Sequence, residues 1–511
     1  MAELNGKTLG GNVTVRPAKL VQFVSMDTPW RIMDSKVYAV SSGGTLQWVK
    51  TATVARAIFG NNWESQIAAV PEVFKTNYKF GADISATSNY SLGTQQAVAS
   101  INQDKNLSGG SSGNGDGGGT IATGLIQPSD LVYQGAFRLP DGSNGTSWEY
   151  SGTGATYYPS GDPSGASDGY LGSLFATGHE WEQQISEISI PAPVNSRNVN
   201  SLNTATTIQP FRDINNMFGS LEIPRVGLAY LPKQGSQTTD KLYFCWGQHM
   251  QESDFGATHG WAELNLSSPN IKGPWKISGL EKYATSDYMF EIPSEWATKY
   301  TPGKRLVTGR YRDGGQGGQG PSLIAIGPWN EGNPPATNAS LSNTPLLKYS
   351  TVYYYDDPSG AHAMTGYNHS DQWAGGAWLT KGDKAAVILA GIKGIGNTWY
   401  GYSDGTVWSE EGPWPPEPEG QRGWWSDSFR GQISFYNPAD LADVAEGKKE
   451  SYEPQPYATL NIDDVLYNTP EHQFRYLGDV AFDRTNGILY VFEYLGDTEA
   501  EKSLVHVWKI K

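Results

Sequence analysis

A pattern of short strands repeats five times between Trp148 and the C-terminus. Each unit contains a polar opening, a strand of small residues, a turn, a hydrophobic strand and a third strand, and the units open near Trp148, Leu221, Asp287, Asp371 and Glu471. Repetition of a unit with several short strands is typical of a β-propeller, in which each unit forms one blade. We therefore predict an all-β fold with five blades.

The two ends of the repeated region complement each other. Leu131 to Leu139 reads as a strand that belongs to no unit, and the last unit ends at Lys511 with only three strands. Pairing between these ends would complete the fifth blade and remove exposed sheet edges. We predict a closed five-bladed propeller over residues 125–511.

The chain before the propeller divides into a small module and a linker. Residues 1–85 predict an α+β module with two strands and two helices, over Lys36 to Val40, Thr45 to Val49, Thr51 to Phe59 and Glu64 to Val70. Residues 86–124 lose hydrophobic periodicity and end in the low-complexity run Ser108 to Gly119. Such Gly/Ser/Asn-rich composition is typical of a flexible linker.

Composition and charge limit the class of partner. The chain has 511 residues, more than one ordinary core accommodates, and its 61 Gly, 30 Pro and 12% aromatic residues fit a turn-rich all-β protein. A net charge of −15 argues against nucleic acid and anionic membranes as partners. No apolar run approaches the roughly 18 residues of a membrane span, so we predict no membrane insertion. The single cysteine, Cys245, reads as a buried small hydrophobe.

Polar residues occur at two positions of the unit that antiparallel pairing brings together. The first strand of a blade starts beside the end of the second strand, so residues at both positions share one face of the propeller. The first strands open at Glu149, Glu222, Asp287, Asp371 and Glu471, and the second strands end near His179, His249, Arg310 and Lys393. The loop after Lys393 is rich in tryptophan, with Trp399, Trp408, Trp414, Trp424 and Trp425.

A face of this composition suits a sugar polymer. Pyranose rings stack on aromatic planes, while carboxylates and arginines bind hydroxyl groups. Hydrolysis of a glycoside needs two carboxyl groups about 5 to 9.5 Å apart, and we assign Glu222 and Asp287 to this pair. Arg310 or Arg312 would lower the pKa of the base. The predicted substrate contacts are Glu149, His179, His249, Arg310, Arg312, Asp371, Trp424 and Trp425.

Structural roles are open for the same residues. Carboxylates on the first strands of propellers also cap backbone amides or line a wet channel, and tryptophans fill the space between blades. The predicted chemistry requires no cofactor, and abundant hard oxygen ligands suit a structural Ca²⁺. Two sets of metal-ligating residue types, His249 with His259 and His362 with His369 and Asp371, match no established zinc spacing. The sequence therefore identifies no metal ligands.

Parts of the chain resemble known bacterial proteins. The propeller is similar to uncharacterised secreted bacterial β-propeller proteins in three motifs, Tyr133-Gln134-Gly135-Ala136-Phe137-Arg138-Leu139-Pro140, Tyr288-Met289-Phe290-Glu291-Ile292-Pro293 and Gly309-Arg310-Tyr311-Arg312-Asp313-Gly314-Gly315. The region from Leu9 to Ile84 resembles a short repeat of bacterial surface and secreted proteins, as in Leu9-Gly10-Gly11-Asn12-Val13-Thr14 and Phe80-Gly81-Ala82-Asp83-Ile84-Ser85. Neither resemblance supplies catalytic residues.

The two resemblances imply a location and leave two functions open. They imply an extracellular or cell-surface protein whose N-terminal module serves attachment, display or self-association. The first function is a propeller that binds a polysaccharide or surface glycan, and hydrolysis of its glycosidic bonds by the paired carboxylates stays open. The second is a non-catalytic structural or adhesive protein of the cell surface or of an extracellular assembly.

Overall fold

The computed structural model forms two compact units, one within residues 14–95 and one within residues 121–511. It describes residues 14–25, 32–92, 95, 121–162, 165, 169–219, 225–247, 254–310, 319–329, 331–350, 359–409, 412, 422–468 and 477–511. The larger unit is a five-bladed β-propeller, which confirms the predicted fold class.

The N-terminal unit is a five-stranded sheet with one α-helix. Its elements are β1 (Leu20–Ser25), β2 (Ile32–Ser41), β3 (Thr45–Trp48), α1 (Ala52–Phe59), β4 (Ile67–Pro71) and β5 (Lys79–Phe80). The strands lie in the order β4-β1-β2-β3-β5, and β1 pairs antiparallel with β2 and parallel with β4. Helix α1 begins where the Thr51 hydroxyl accepts the N–H of Val54, and it ends at Gly60, which has a φ of 90°.

The predicted helix from Glu64 to Val70 is wrong. The segment Trp63–Gln66 forms a short 3₁₀ turn, and the chain then continues as β4. Two β-branched residues, Ile67 and Val70, favour a strand. The parallel ladder with β1 extends over all five residues of β4, and this pairing overrides the helix propensity of the two alanines between them.

Ordered structure continues into both ends of the predicted linker. Tyr90 is buried against Phe59 with ring centroids 5.6 Å apart, and its hydroxyl donates to the carbonyl of Val40 at 2.8 Å. The N-terminal unit therefore extends beyond residue 85. On the other side, Ile121 packs against the propeller core, and strand β6 (Gly124–Leu125) pairs with the propeller.

The propeller consists of antiparallel blades. After β6 and β7 (Leu131–Arg138), blade 1 contains β8 (Ala155–Tyr158), β9 (Ser173–Thr177), β10 (Ile185–Ser189) and β11 (Thr207–Arg212). Blade 2 contains β12 (Arg225–Leu231), β13 (Lys241–Gly247), β14 (His259–Ala262) and β15 (Lys272–Ile277). Blade 3 contains β16 (Tyr288–Glu291), α2 (Ser294–Tyr300), β17 (Leu306–Gly309), β18 (Ser322–Ile326) and β20 (Asn343–Lys348). Between β18 and β20, the short strand β19 (Ser340–Leu341) pairs with the edge of blade 2.

The last two blades follow the same order. Blade 4 contains β21 (Gln372–Lys381), β22 (Lys384–Gly401), β23 (Gly423–Tyr436), α3 (Pro438–Ala445) and β24 (Ala458–Asn461). Blade 5 contains β25 (Leu477–Asp483), β26 (Ile488–Asp497) and β27 (Lys502–Ile510), and β7 supplies its outer strand. The ladder between β7 and β27 runs from Leu131 opposite Ile510 to Arg138 opposite Leu504, which confirms the predicted closure.

The first strands of the blades form a closed ring. Strand β8 contacts β12, β12 contacts β16, β16 contacts β21, β21 contacts β25, and β25 contacts β8. One apolar cluster lies between each pair of neighbouring blades. Strands β9 and β13 are buried along their whole length, which explains why they read as continuous apolar runs. Among the residues described, no helix is long and apolar enough to cross a membrane.

Candidate functional site

One side of the propeller carries the starts of the first strands and the ends of the second strands, and we call it the loop face. The pairing places Tyr288 opposite Gly309, and Gln372 opposite Ile392. The N–H of Asp287 donates to the carbonyl of Gly309 at 3.0 Å, which brings Asp287 next to the end of β17. In blades 3 and 4 the two polar positions of the repeat therefore meet on this face, as antiparallel pairing requires.

Part of the predicted site lies outside the described residues. Glu222, His249 and Arg312 belong to this part, and their roles stay predictions. The structure places the other predicted residues on the loop face in two different settings, some buried and bound to the protein itself, others partly exposed.

Asp371 is a buried ion-pair partner rather than a surface carboxylate. The residue is 2% exposed, and its two oxygens accept from the Lys393 ammonium at 2.9 and 2.7 Å. The carboxylate also accepts the N–H groups of Gly394 at 2.8 Å and Asn368 at 2.9 Å. Burial raises the pKa of Asp371, and the ammonium and the two N–H groups oppose that shift. All these contacts are internal, so Asp371 stabilises the loop before β21.

Arg310 is also buried, at the end of β17. Its Nε–H donates to the carbonyl of Gly320 at 2.8 Å, and the residue has no exposed surface. The guanidinium group therefore holds the chain before β18 instead of reaching outward. Asp287, two residues before Met289 on the same blade, is half-buried.

Blade 4 carries a hairpin that the sequence pattern did not predict. The repeat indicated strands from Ala386 to Ala390 and from Gln432 to Tyr436, whereas β22 has 18 residues and β23 has 14. Beyond Ile392, where the pairing with β21 ends, the two strands continue as a hairpin arm, residues 393–401 and 423–430. The ladder in this arm places Tyr400 opposite Trp424.

A row of aromatic and basic side chains lies along one side of the hairpin arm. We call it the aromatic row, and its members are His369, Trp424, Tyr400, Arg422 and Trp408. The rings of His369 and Trp424 stack at 4.5 Å, and the rings of Trp424 and Tyr400 lie 5.5 Å apart. The Arg422 guanidinium lies 5.8 Å from the Tyr400 ring and 4.1 Å from the Trp408 ring. Every member is at least partly exposed.

Hydrogen bonds join the hairpin arm to the loop that carries His369. The side-chain carbonyl of Asn368 accepts from the hydroxyl groups of Thr398 at 2.7 Å and Ser370 at 2.9 Å. The hydroxyl groups of Ser370 and Ser426 lie 2.8 Å apart. This network sets the position of His369 against Trp424.

Trp424 and Trp425 lie on opposite sides of the arm, because adjacent residues of a strand face opposite ways. Trp425 is 7% exposed and packs with Phe429, Ile392 and Trp399 in a small apolar cluster. The predicted role of Trp425 as a sugar platform does not fit this burial. Trp424 is the half-buried member of the pair.

Glu149 and His179 lie where blades 5 and 1 meet. The predicted start of the first strand at Glu149 is wrong, since β8 begins at Ala155. The extended chain is interrupted by left-handed backbone at Tyr150, which has a φ of 48°, and at Gly152. Glu149 instead forms an isolated antiparallel β-bridge with Lys502 through the backbone. His179 Nδ1 lies 3.1 Å from the Glu182 carboxylate.

The described residues contain no group of three or more His, Cys, Asp or Glu side chains placed to hold a metal ion. His259, one of the candidate ligands, is buried between the hydroxyl groups of Thr258 at 2.9 Å and Thr308 at 3.2 Å. Burial lowers the pKa of His259 to about 3, so its imidazole is neutral. A second candidate, His362, stacks on Tyr452 with a centroid distance of 4.0 Å. A structural Ca²⁺ stays a prediction.

The sequence reasoning missed Tyr400, Arg422 and Asp479. Alternation along Trp399-Tyr400 would have placed Tyr400 on the side opposite Trp399, but the partner strand lies beyond a long polar loop. Asp479 lies within β25 and is completely buried, and its carboxylate accepts the N–H groups of Ala155 at 2.9 Å and Val480 at 2.8 Å. It links first strands rather than facing a ligand.

The fold and the loop face define a five-bladed β-propeller with an aromatic-rich face. No family model matches the chain, and no protein with a curated description matches it significantly. The functional argument therefore depends on the geometry of the loop face.

Proposed function

We propose that the protein is an extracellular or cell-surface propeller that binds a glycan at its loop face. The aromatic row carries this proposal. The partly exposed rings of Trp424, Tyr400 and Trp408 follow one another along the hairpin arm, with Arg422 stacked beside them. Sugar rings stack their apolar faces on such planes, and guanidinium and imidazole groups donate hydrogen bonds to hydroxyl groups.

The hydrogen bonds behind the row support the same function. The hydrogen bonds of Asn368, Ser370, Thr398 and Ser426 join the loop that carries His369 to the hairpin arm. A surface that is already ordered loses less conformational entropy on binding. Weak stacking contacts along a polymer then add up to useful affinity.

Hydrolysis is the extension of this proposal that uses Glu222 and Asp287. One carboxyl group would protonate the glycosidic oxygen, and the other would act as a nucleophile or activate water. Asp287 is on the loop face and half-buried, a setting in which a carboxyl can meet substrate. The mechanism needs no cofactor.

A non-catalytic structural or adhesive protein is the second candidate. It is favoured by the burial of Asp371 and Arg310, whose polar groups are bound within the protein. In this function the propeller is a rigid building block, and the N-terminal module provides attachment or self-association.

The experiment that separates these functions uses the full chain and a panel of polysaccharides. Bound protein and released sugar are measured for the wild type, Asp287→Ala and Glu222→Ala. Glu295→Ala, on α2 at the opposite side of the propeller, is the matched control. If Asp287→Ala and Glu222→Ala both abolish sugar release while the control retains it, the protein is a hydrolase. Binding without release supports a non-catalytic glycan-binding protein, and no binding to any polymer contradicts the proposal.

A further inference from the structure

An exposed tryptophan projects from the loop face where blades 5 and 1 meet. Trp181 is 82% exposed, the most exposed large apolar side chain of those that the structure describes. Neighbouring rings then follow one another across the surface. The ring centroids of Trp181 and His179 lie 5.6 Å apart, those of His179 and Tyr150 5.7 Å, and those of Tyr150 and Tyr494 6.4 Å. A large indole exposed at the end of an aromatic series indicates an interaction surface.

Two carboxylates are fixed beside these rings. The Tyr150 hydroxyl donates to Glu501 at 2.6 Å, and the Tyr494 hydroxyl donates to Glu180 at 2.9 Å. The hydrogen bond to Glu501 raises the pKa of Tyr150, and the charges of Glu149 and Glu180 add to this effect. We call this surface the junction site, formed by Tyr150, His179, Glu180, Trp181, Tyr494 and Glu501.

Two basic side chains on the strands of blade 5, Arg138 on β7 and Lys502 on β27, are bound to other groups. Arg138 pairs with Asp497 at 2.8 Å. Lys502 donates to the carbonyl of Pro140 at 3.0 Å and lies 3.3 Å from Asp141. The junction site therefore presents negative charge and aromatic rings together.

Backbone strain is concentrated at the same place. In the described part of the propeller, the residues other than glycine and asparagine with left-handed backbone are Tyr150, Gln183, Leu495 and Glu501, with φ between 48° and 56°. Each is a member of the junction site or lies within two residues of one. Such conformations are disfavoured for these residue types, and they cluster at functional sites.

We propose that the junction site binds the free amino groups of an amino-sugar polymer. An ammonium group is attracted to aromatic faces and forms strong hydrogen bonds with carboxylates. The sugar ring that carries the ammonium group stacks on Trp181. The inference rests on the proposed function and names the substrate class as a glycan with unacetylated amino sugars. The net charge of −15 adds long-range attraction for such a polycation.

The test compares a soluble glucosamine polymer with its N-acetylated form of the same length, using the full chain. We expect the wild type to bind the free-amine polymer about tenfold more tightly, and less tightly as salt increases. Trp181→Ala, Glu180→Gln and Glu501→Gln are each expected to lower that affinity by about tenfold. Glu499→Gln makes the same charge change in the same turn, and it is expected to retain affinity within about twofold.

Each outcome decides the inference. If the wild type binds the two polymers with equal affinity, or if the variants keep the wild-type affinity, the inference about amino groups is overturned. The proposed binding of a glycan at the aromatic row is not affected by either result. Binding to basic polypeptides such as polylysine as tightly as to the amino polymer overturns it in favour of a polypeptide partner. No binding to any glycan ends both this inference and the proposed function. Because Trp181 is exposed, Trp181→Ala should keep the wild-type unfolding temperature. Glu180→Gln tests the junction site independently of the tryptophan.

Discussion

At the scale of single residues, Asp479 joins three of the first strands. Its carboxylate accepts the N–H of Ala155 on β8, its neighbour Val480 on β25, and Gly376 on β21. Burial raises the pKa of Asp479 well above its usual range, and the three N–H groups oppose this shift. The ring of first strands therefore depends on a buried group that titrates.

The raised pKa of Asp479 predicts a pH dependence of stability. Because its pKa is raised, Asp479 holds its proton more tightly in the folded protein than in the unfolded chain. Protonated Asp479 therefore contributes fully to the free energy of unfolding below the usual pKa of about 4. This contribution is lost as pH rises through the pKa of the folded state. Asp479→Asn should remove this negative slope. Denaturant unfolding across a pH series measures it, with exposed Asp383→Asn as the control. Parallel pH profiles for the wild type and Asp479→Asn would contradict this account.

The ion pair of Asp371 and Lys393 leads to a second prediction at this scale. Lys393→Met leaves the Asp371 carboxylate buried without its cation, and we expect a loss of about 3 kcal/mol in the free energy of unfolding. Lys384→Met removes the partly exposed ion pair with Asp130 and should lose less than about 1 kcal/mol. Urea unfolding of the two variants measures the difference. Equal stabilities would show that Asp371 does not need its partner.

At the scale of elements, glycines allow the first strands to approach one another. A Cβ at Gly227 on β12 would lie 2.4 Å from the backbone of Tyr288 on β16, and one at Gly375 on β21 would lie 2.3 Å from the Asp479 carboxylate. Few blades surround a narrow axis, so these positions leave no space for a side chain.

Gly227→Ala should therefore destabilise the propeller by about 1 to 3 kcal/mol, because the neighbouring backbone must move. Gly423→Ala on the hairpin arm is the matched control, since a Cβ there meets nothing within 4 Å, and it should change stability by less than about 0.5 kcal/mol. Thermal or denaturant unfolding compares the two. A larger effect at Gly423 than at Gly227 would refute the crowding argument.

The elements also show what the sequence could predict. The side chains of strands such as β16, β18 and β27 are buried between neighbouring blades. The apolar composition of these strands therefore allowed the sequence to predict them. The hairpin arm extends beyond β21, and its polar residues carry no such pattern. The sequence singled out Trp408 and Trp424 but not Tyr400, because the place of Tyr400 in the aromatic row depends on its register with Trp424 across a long intervening loop.

At the scale of the whole molecule, closure of the ring was predictable because an unassigned strand preceded five units and an incomplete unit ended the chain. The burial of Asp371 and Arg310 was not, since each depends on contacts between loops. The same polar residue at the start of a first strand can bind internally or face outward, and only the surrounding loops decide which.

Closure by β7 should be essential to the propeller. Deleting residues 121–138 removes the outer strand of blade 5 and exposes the edge of β27, and we expect aggregation or loss of cooperative unfolding. Deleting residues 1–95 removes a unit with its own core and should leave the unfolding transition of the propeller unchanged. Calorimetry and size-exclusion chromatography distinguish the two. A cooperative, monomeric protein after the first deletion would contradict the role of β7.

The most direct test of glycan binding at the loop face is the affinity of the Trp424→Ala variant for an oligosaccharide of the polymer that binds best. Titration calorimetry should show a loss of about tenfold, equivalent to about 1.4 kcal/mol, because a stacking surface is removed. Tyr300→Ala removes a half-buried ring from α2 on the opposite side of the propeller and should keep the wild-type affinity. Unchanged affinity in Trp424→Ala, with binding intact in the wild type, would contradict a glycan site on the aromatic row.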